Sequence, residues 1–262
     1  MSTTDPRSTL PARDPRVVAA AGAAAALGLA VYLVGLPGSV SLFGTPLADL
    51  TLPAALFVAF AGTAVAAAVL TRTTWRVVDL VVASVLGVAG GLLFAVWNVA
   101  VWPAASGALA FYPPASAVLV GVWLLPAVLG GLVVRKPGAA VYTELVAATI
   151  SAFIGNQWGF ATVWYGLVEG LGAEVVLAVL LYRRFGLGAA IGAGLGAGVA
   201  VGLMDSLIYY PEFSAAYKVA YVVLAMVSGA VIAGVGSAYL TKALARTGAL
   251  APLASGRTAE RV

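Results

Sequence analysis

Residues 135–174 read RKPGAAVYTELVAATISAFIGNQWGFATVWYGLVEGLGAE. The segment opens with two cations and a Pro-Gly break, Arg135-Lys136-Pro137-Gly138. An apolar run follows that carries a single carboxylate, Glu144. A polar turn, Gly155-Asn156-Gln157-Trp158-Gly159, separates it from a second apolar run that carries Glu169 and Glu174. This is the pattern of two membrane helices joined by a short loop. Ionisable groups inside such helices are costly and mark either a ligand site or a lock between helices. Tyr165 and Glu169 are four apart and share one helix face, while Gly166, Gly170 and Glu174 share another, where a second helix can come closest. On that ground Glu169 is the better ligand candidate and Glu174 the better structural one.

The whole chain fits the same environment. Of its 262 residues 62% are hydrophobic and 9% charged, against roughly 25% charged in a soluble domain. So few charges cannot coat a water-facing surface, and the chain is placed in a lipid bilayer. It has no Cys and no His, which excludes disulfides, thiolate chemistry and the commonest general base and metal ligand. No metal site and no cofactor is expected. The net charge of +4 is spread over loops rather than gathered in a patch, so no nucleic acid is expected as a partner.

In chain order, residues 1–15 are polar, and 16–36 and 53–71 are apolar runs long enough to span a bilayer. The break Thr71-Arg72-Thr73-Thr74-Trp75-Arg76 is read as a boundary between this accessory pair (1–72) and a six-helix core (73–248). Core spans are predicted at 75–102, 115–134, 139–155, 161–182, 187–209 and 216–243. The small, polar and basic tail 249–262 is predicted to be disordered. Arg and Lys recur after every second span: Arg7, Arg13 and Arg16; Arg72 and Arg76; Arg135 and Lys136; Arg183 and Arg184; then Lys242, Arg246, Arg257 and Arg261. Only Lys218 falls on the other side. The positive-inside rule then puts both termini in the cytoplasm.

The predicted outer side gathers Trp97, Asn98, Tyr112, Asn156, Trp158, Tyr165 and Asp205. An interfacial belt explains any one aromatic residue, but a belt needs neither amides nor a carboxylate, and the set favours a pocket. Such a pocket suits an aromatic cation. Ala83, Gly87 and Gly91 make a small-residue stripe on the first core helix. It lets another helix approach closely, one of the same chain or one of a partner.

The RKPGAA run at 135–140, Glu144, Gly155-Asn156 and the block Gly170-Leu171-Gly172-Ala173-Glu174 also resemble a known family. They are similar to the substrate-binding (S) subunits of energy-coupling-factor vitamin transporters, the YkoE-type thiamine/hydroxymethylpyrimidine group. The resemblance extends from about Thr73 to about Gly248. One departure is Glu169, where the family suggests a neutral Gln. The resemblance implies a substrate-binding membrane subunit in the plasma membrane, not an enzyme. It would act with a transmembrane coupling subunit and two ATPase subunits, consistent with the lack of a GxxxxGK[ST] loop in the chain. It also implies that the Ala83/Gly87/Gly91 stripe docks the coupling subunit, and it adds Glu144 and Glu174 to the ligand contacts. Both lie deep: Glu144 is eight positions after Lys136, about 12 Å along a helix. The alternatives are an intramembrane enzyme, against which the scattered carboxylates speak, and a stand-alone secondary carrier.

Overall fold

The computed structural model describes residues 74–259, side chains included as far as Gly256, together with isolated positions before them. The chain divides into two compact units, Met1–Arg72 and Thr73–Val262. In the first, the described residues include a two-residue antiparallel ladder, β1 (Ser41–Leu42) with β2 (Thr45–Pro46). The accessory spans expected at 16–36 and 53–71 lie almost wholly outside the described residues.

Six helical spans make up the described part of the second unit: α1 (Val77–Ala108), α2 (Pro113–Val134), α3 (Ala139–Ile154), α4 (Ala161–Val179), α5 (Leu187–Ile208) and α6 (Ala215–Arg246). A short α7 (Ala254–Ala259) follows. All six spans fall where the hydropathy pattern puts them. All but α3 are long and apolar enough to cross a bilayer. The 16 residues of α3 give about 24 Å, and α3 packs along both α1 and α4.

The spans are not uniform helices. Pro113 and Pro114 open α2 as a 3-10 helix that runs to Val122, and it continues as an α-helix from Leu125. Both α1 and α6 contain a π-helical turn, at Trp97–Val101 and Gly229–Val235. Such an insertion turns the side chains that follow and is common beside functional sites.

Glycine sets how near the helices come. A Cβ on Gly172 of α4 would lie 2.6 Å from the Gly196 carbonyl oxygen of α5, and one on Gly198 of α5 would lie 2.5 Å from the Ala225 carbonyl oxygen of α6. The Ala83/Gly87/Gly91 stripe is used in the same way. A Cβ on Gly87 would stand 2.6 Å from Val146 Cβ, and one on Gly91 2.6 Å from Ile150 Cβ, both on α3. Ala83 is fully buried. This corrects the expected docking surface: a helix of the same chain already fills the stripe, so no partner can use it without displacing α3.

The loops at one end carry Arg76, Arg135, Lys136, Arg183 and Arg184, and α6 ends there at Arg246. At this cation-rich end Asp79 is fully buried and paired with Arg76 (2.9 Å) and Lys136 (2.6 Å). Trp75 donates to the Pro137 carbonyl (3.0 Å). The Arg135 guanidinium lies over the Phe185 ring, 5.0 Å from its centroid, and burial pushes its pKa down.

The tail also differs from expectation. Gly248, at φ +80°, turns the chain back after α6. Leu250 and Leu253 then join Ala83, Leu129, Val133 and Ala139 in one buried apolar cluster. Ser255 donates to the Val133 carbonyl (2.8 Å) and Arg76 to the Pro252 carbonyl (3.2 Å). Residues 248–256 are therefore folded, not disordered; two leucines three apart suffice to anchor a tail whose composition is otherwise small and polar.

Candidate ligand-binding site

A cavity of about 320 Å³ lies toward the other end. Its walls come from α1 (Phe94, Asn98, Trp102), α2 (Trp123), the α3–α4 loop (Gln157, Trp158), α4 (Thr162, Tyr165, Glu169), α5 and its end (Asp205, Tyr209), and α6 (Tyr221). Three indoles form one side: Trp102 and Trp123 are 4.7 Å apart between centroids, and Trp158 stands edge-on to Trp123 at 5.5 Å. Tyr165 stacks on Tyr209 at 5.4 Å on another side. Burial pushes the Tyr209 and Tyr210 phenols up, so both offer neutral hydroxyls at physiological pH.

The indole side is held by amides. The π-helical turn of α1 turns Asn98 inward, where it is 3% exposed. Its Oδ1 accepts from Trp123 Nε1 (2.9 Å) and its Nδ2 donates to Ser151 Oγ (3.3 Å). Asn156 donates to the same Ser151 oxygen (3.2 Å) and accepts from the Trp158 backbone N–H (2.9 Å) and from Thr162 Oγ1 (3.1 Å). Asn156 thereby fixes the loop that presents Trp158 without lining the cavity.

The carboxylates divide by surroundings. Glu174 does not reach the cavity. Its two oxygens accept from the backbone N–H groups of Gly138 (2.7 Å), Ala140 (2.9 Å) and Val141 (3.3 Å) and from Tyr182 Oη (2.6 Å). It closes the N-terminus of α3, whose first N–H groups have no partner within the helix and whose dipole favours an anion there. Burial and the Glu174 charge push the Tyr182 phenol up. Glu144, fully buried, accepts from Ala127 N–H (2.7 Å) where α2 restarts as an α-helix, and its Oε1 has no hydrogen-bond partner. Glu169 lines the cavity at 5% exposure, and among the described residues nothing donates to its carboxylate. Asp205 lines it beside Glu169 and accepts from Tyr221 Oη (2.7 Å).

Of the expected contacts, the cavity therefore brings together Asn98, Trp158, Tyr165, Glu169 and Asp205. Five others sit elsewhere. Glu144 and Glu174 are turned to helix starts and Asn156 into its loop. Trp97, on the π-helical turn, is not among the lining residues. Tyr112 packs edge-on against Tyr217 at 5.5 Å. Trp123 and Tyr221 were not anticipated: each is a lone aromatic inside an apolar run. The weak signals are the 217–221 spacing of four and the position of Trp123 just before the Leu124-Leu125-Pro126 reset.

With this geometry in hand, three comparisons place the chain. A family model for the permease component of ABC-type cobalt transport systems matches residues 78–200. A protein of Bacillus subtilis (strain 168) named as an HMP/thiamine permease protein, YkoE, is 29% identical over 187 residues, 70% of this chain and 92% of that one. A crystal structure of an S-component of an ECF transporter superposes with a TM-score of 0.67 at 29% identity, over 72% of this chain and 94% of that one. The chain is similar to the S components of energy-coupling-factor transporters. With five described helices long and apolar enough to cross a bilayer, and with relatives of this kind, the chain is a multi-pass membrane protein. Its relatives are transporter subunits, which sets the intramembrane-enzyme alternative aside.

Proposed function

We propose that this chain is an S component of this kind and captures thiamine or its hydroxymethylpyrimidine precursor in the aromatic cavity. Delivery inward then depends on a transmembrane coupling subunit and two ATPase subunits. The observation that carries the reading is Glu169: a buried carboxylate without a donor, facing a cavity walled by three indoles and a stacked tyrosine pair. A thiazolium ring gains from both, since a cation over a ring face is worth roughly 0.5–2 kcal/mol. The edge of an aminopyrimidine matches Gln157, Thr162 and the tyrosine hydroxyls as donors and acceptors. The volume is at the lower end of the roughly 300–1,000 Å³ typical for such ligands. The name of the Bacillus subtilis relative supports the choice of vitamin.

The orientation belongs to the same proposal. The cation-rich end faces the cytoplasm, with both termini, and the cavity takes its ligand from outside, as the positive-inside rule favours.

Titration of the wild type and Glu169→Gln with thiamine and with hydroxymethylpyrimidine, followed by tryptophan fluorescence, tests the reading. Loss of one partner of a buried charge pair costs roughly 3–5 kcal/mol, whereas a neutral ligand loses a hydrogen-bond difference of about 0.5–1.5 kcal/mol. The substitution should therefore weaken thiamine far more than the pyrimidine. Equal losses would make Glu169 structural, and no change for either would remove it from the site.

A further inference from the structure

The charge of the cavity is one-sided. Its lining includes the carboxylates of Glu169 and Asp205 and no lysine or arginine, and the chain has no histidine. Glu144, fully buried on α3 and outside the lining, has one oxygen unpartnered. Where this fold uses a buried carboxylate to hold helices, as at Glu174, it surrounds it with backbone N–H groups and a phenol. Glu169 has no such surroundings, and Asp205 is met by tyrosine hydroxyls alone, Tyr221 at 2.7 Å and Tyr165 beside it. Burying such a group is costly unless a donor or a cation meets it. A cationic or donor group on the ligand supplies the missing partner and favours the ionised form.

We infer that the cavity selects for net positive charge and rejects anions: it takes the free aromatic cation and turns away the same molecule bearing a phosphate ester. The inference rests on the reading of this cavity as the ligand site, and it adds a class of molecule that the site refuses. A phosphate monoester carries about −1.5 to −2 charges at pH 7 and calls for strong donors. Against it the cavity offers phenols, indoles, the amides of Asn98 and Gln157 and the Thr162 hydroxyl, all neutral, with two carboxylates at short range in a low-dielectric setting. Placing like charges together in this way weakens binding by roughly 100-fold or more.

The test uses the full chain in detergent, read by the fluorescence of Trp102, Trp123 and Trp158, with two matched pairs of probes. N-methylquinolinium and 2-naphthoate are flat bicyclic molecules that differ in charge sign. The expected result is a preference for the cation of about 100-fold, reduced to less than about tenfold in the double variant Glu169→Gln/Asp205→Asn. If the double variant does not fold, Glu169→Gln alone should narrow the preference. Naphthoate binding within tenfold of the quinolinium overturns the inference, and so does the absence of binding by both. The second pair is thiamine and thiamine monophosphate. Equal affinity for these two also overturns it. A chain that prefers N-methylquinolinium yet binds neither thiamine nor its phosphate leaves the charge selection standing and sinks the vitamin assignment.

Discussion

Glu169 and Glu174 are five positions apart on one helix and have opposite surroundings. One faces a cavity with no donor; the other closes the start of α3 with three backbone N–H groups. Their substitutions should therefore move stability in opposite directions. Glu174→Gln replaces an acceptor that serves several donors by a weaker one, and should cost about 1–3 kcal/mol. Glu169→Gln removes a buried ionisable group that no donor meets, and should raise the melting temperature of the ligand-free protein. Thermal melts in detergent compare the two, and a loss of stability on both substitutions would mean that Glu169 has a structural partner. This division was readable in the sequence, because the four-residue steps put Glu169 with Tyr165 and Glu174 with Gly166 and Gly170 on different faces. What could not be read was the acceptor role of Glu174, since it depends on N–H groups more than 30 positions away.

At the scale of helices, spacing reveals a face but not its neighbour. The stripe of Ala83, Gly87 and Gly91 was evident from its period of four, yet nothing in that period says whether the approaching helix belongs to this chain. The structure answers with α3, whose Val146 and Ile150 sit over the two glycines. Gly87→Leu should accordingly destabilise the fold by about 1–3 kcal/mol or more through overpacking, and ligand binding should fall with it. A Gly87→Leu protein that melts like the wild type and binds ligand normally would mean that α3 can move aside. The cavity was legible only in part for a related reason. Clusters such as Asn156-Gln157-Trp158 announce themselves, whereas Trp123 and Tyr221 reach the site only because α2 and α6 pack beside it.

For the molecule as a whole, topology and the tail carry separate predictions. A cysteine at exposed Glu212 should react with an impermeant thiol reagent in intact cells, and one at exposed Arg184 should not. Labelling in the reverse pattern would invert the orientation. The chain has no native cysteine to confuse the result. Ser255 is unsuited to this test because it is 3% exposed and bonded to Val133. Truncation after Gly248 removes Leu250 and Leu253, at about 1.5–3 kcal/mol for each buried leucine, and should lower the melting temperature of the purified protein clearly. An unchanged melt would show that the tail adds nothing to the fold. Composition alone hid this: the stretch is small and basic, and two leucines in it do the anchoring. The cluster they complete joins the first core helix, through Ala83, to the turn that follows α6. A bulky fusion placed directly after Ser255 therefore presses on α1 and α2 rather than hanging from a free end.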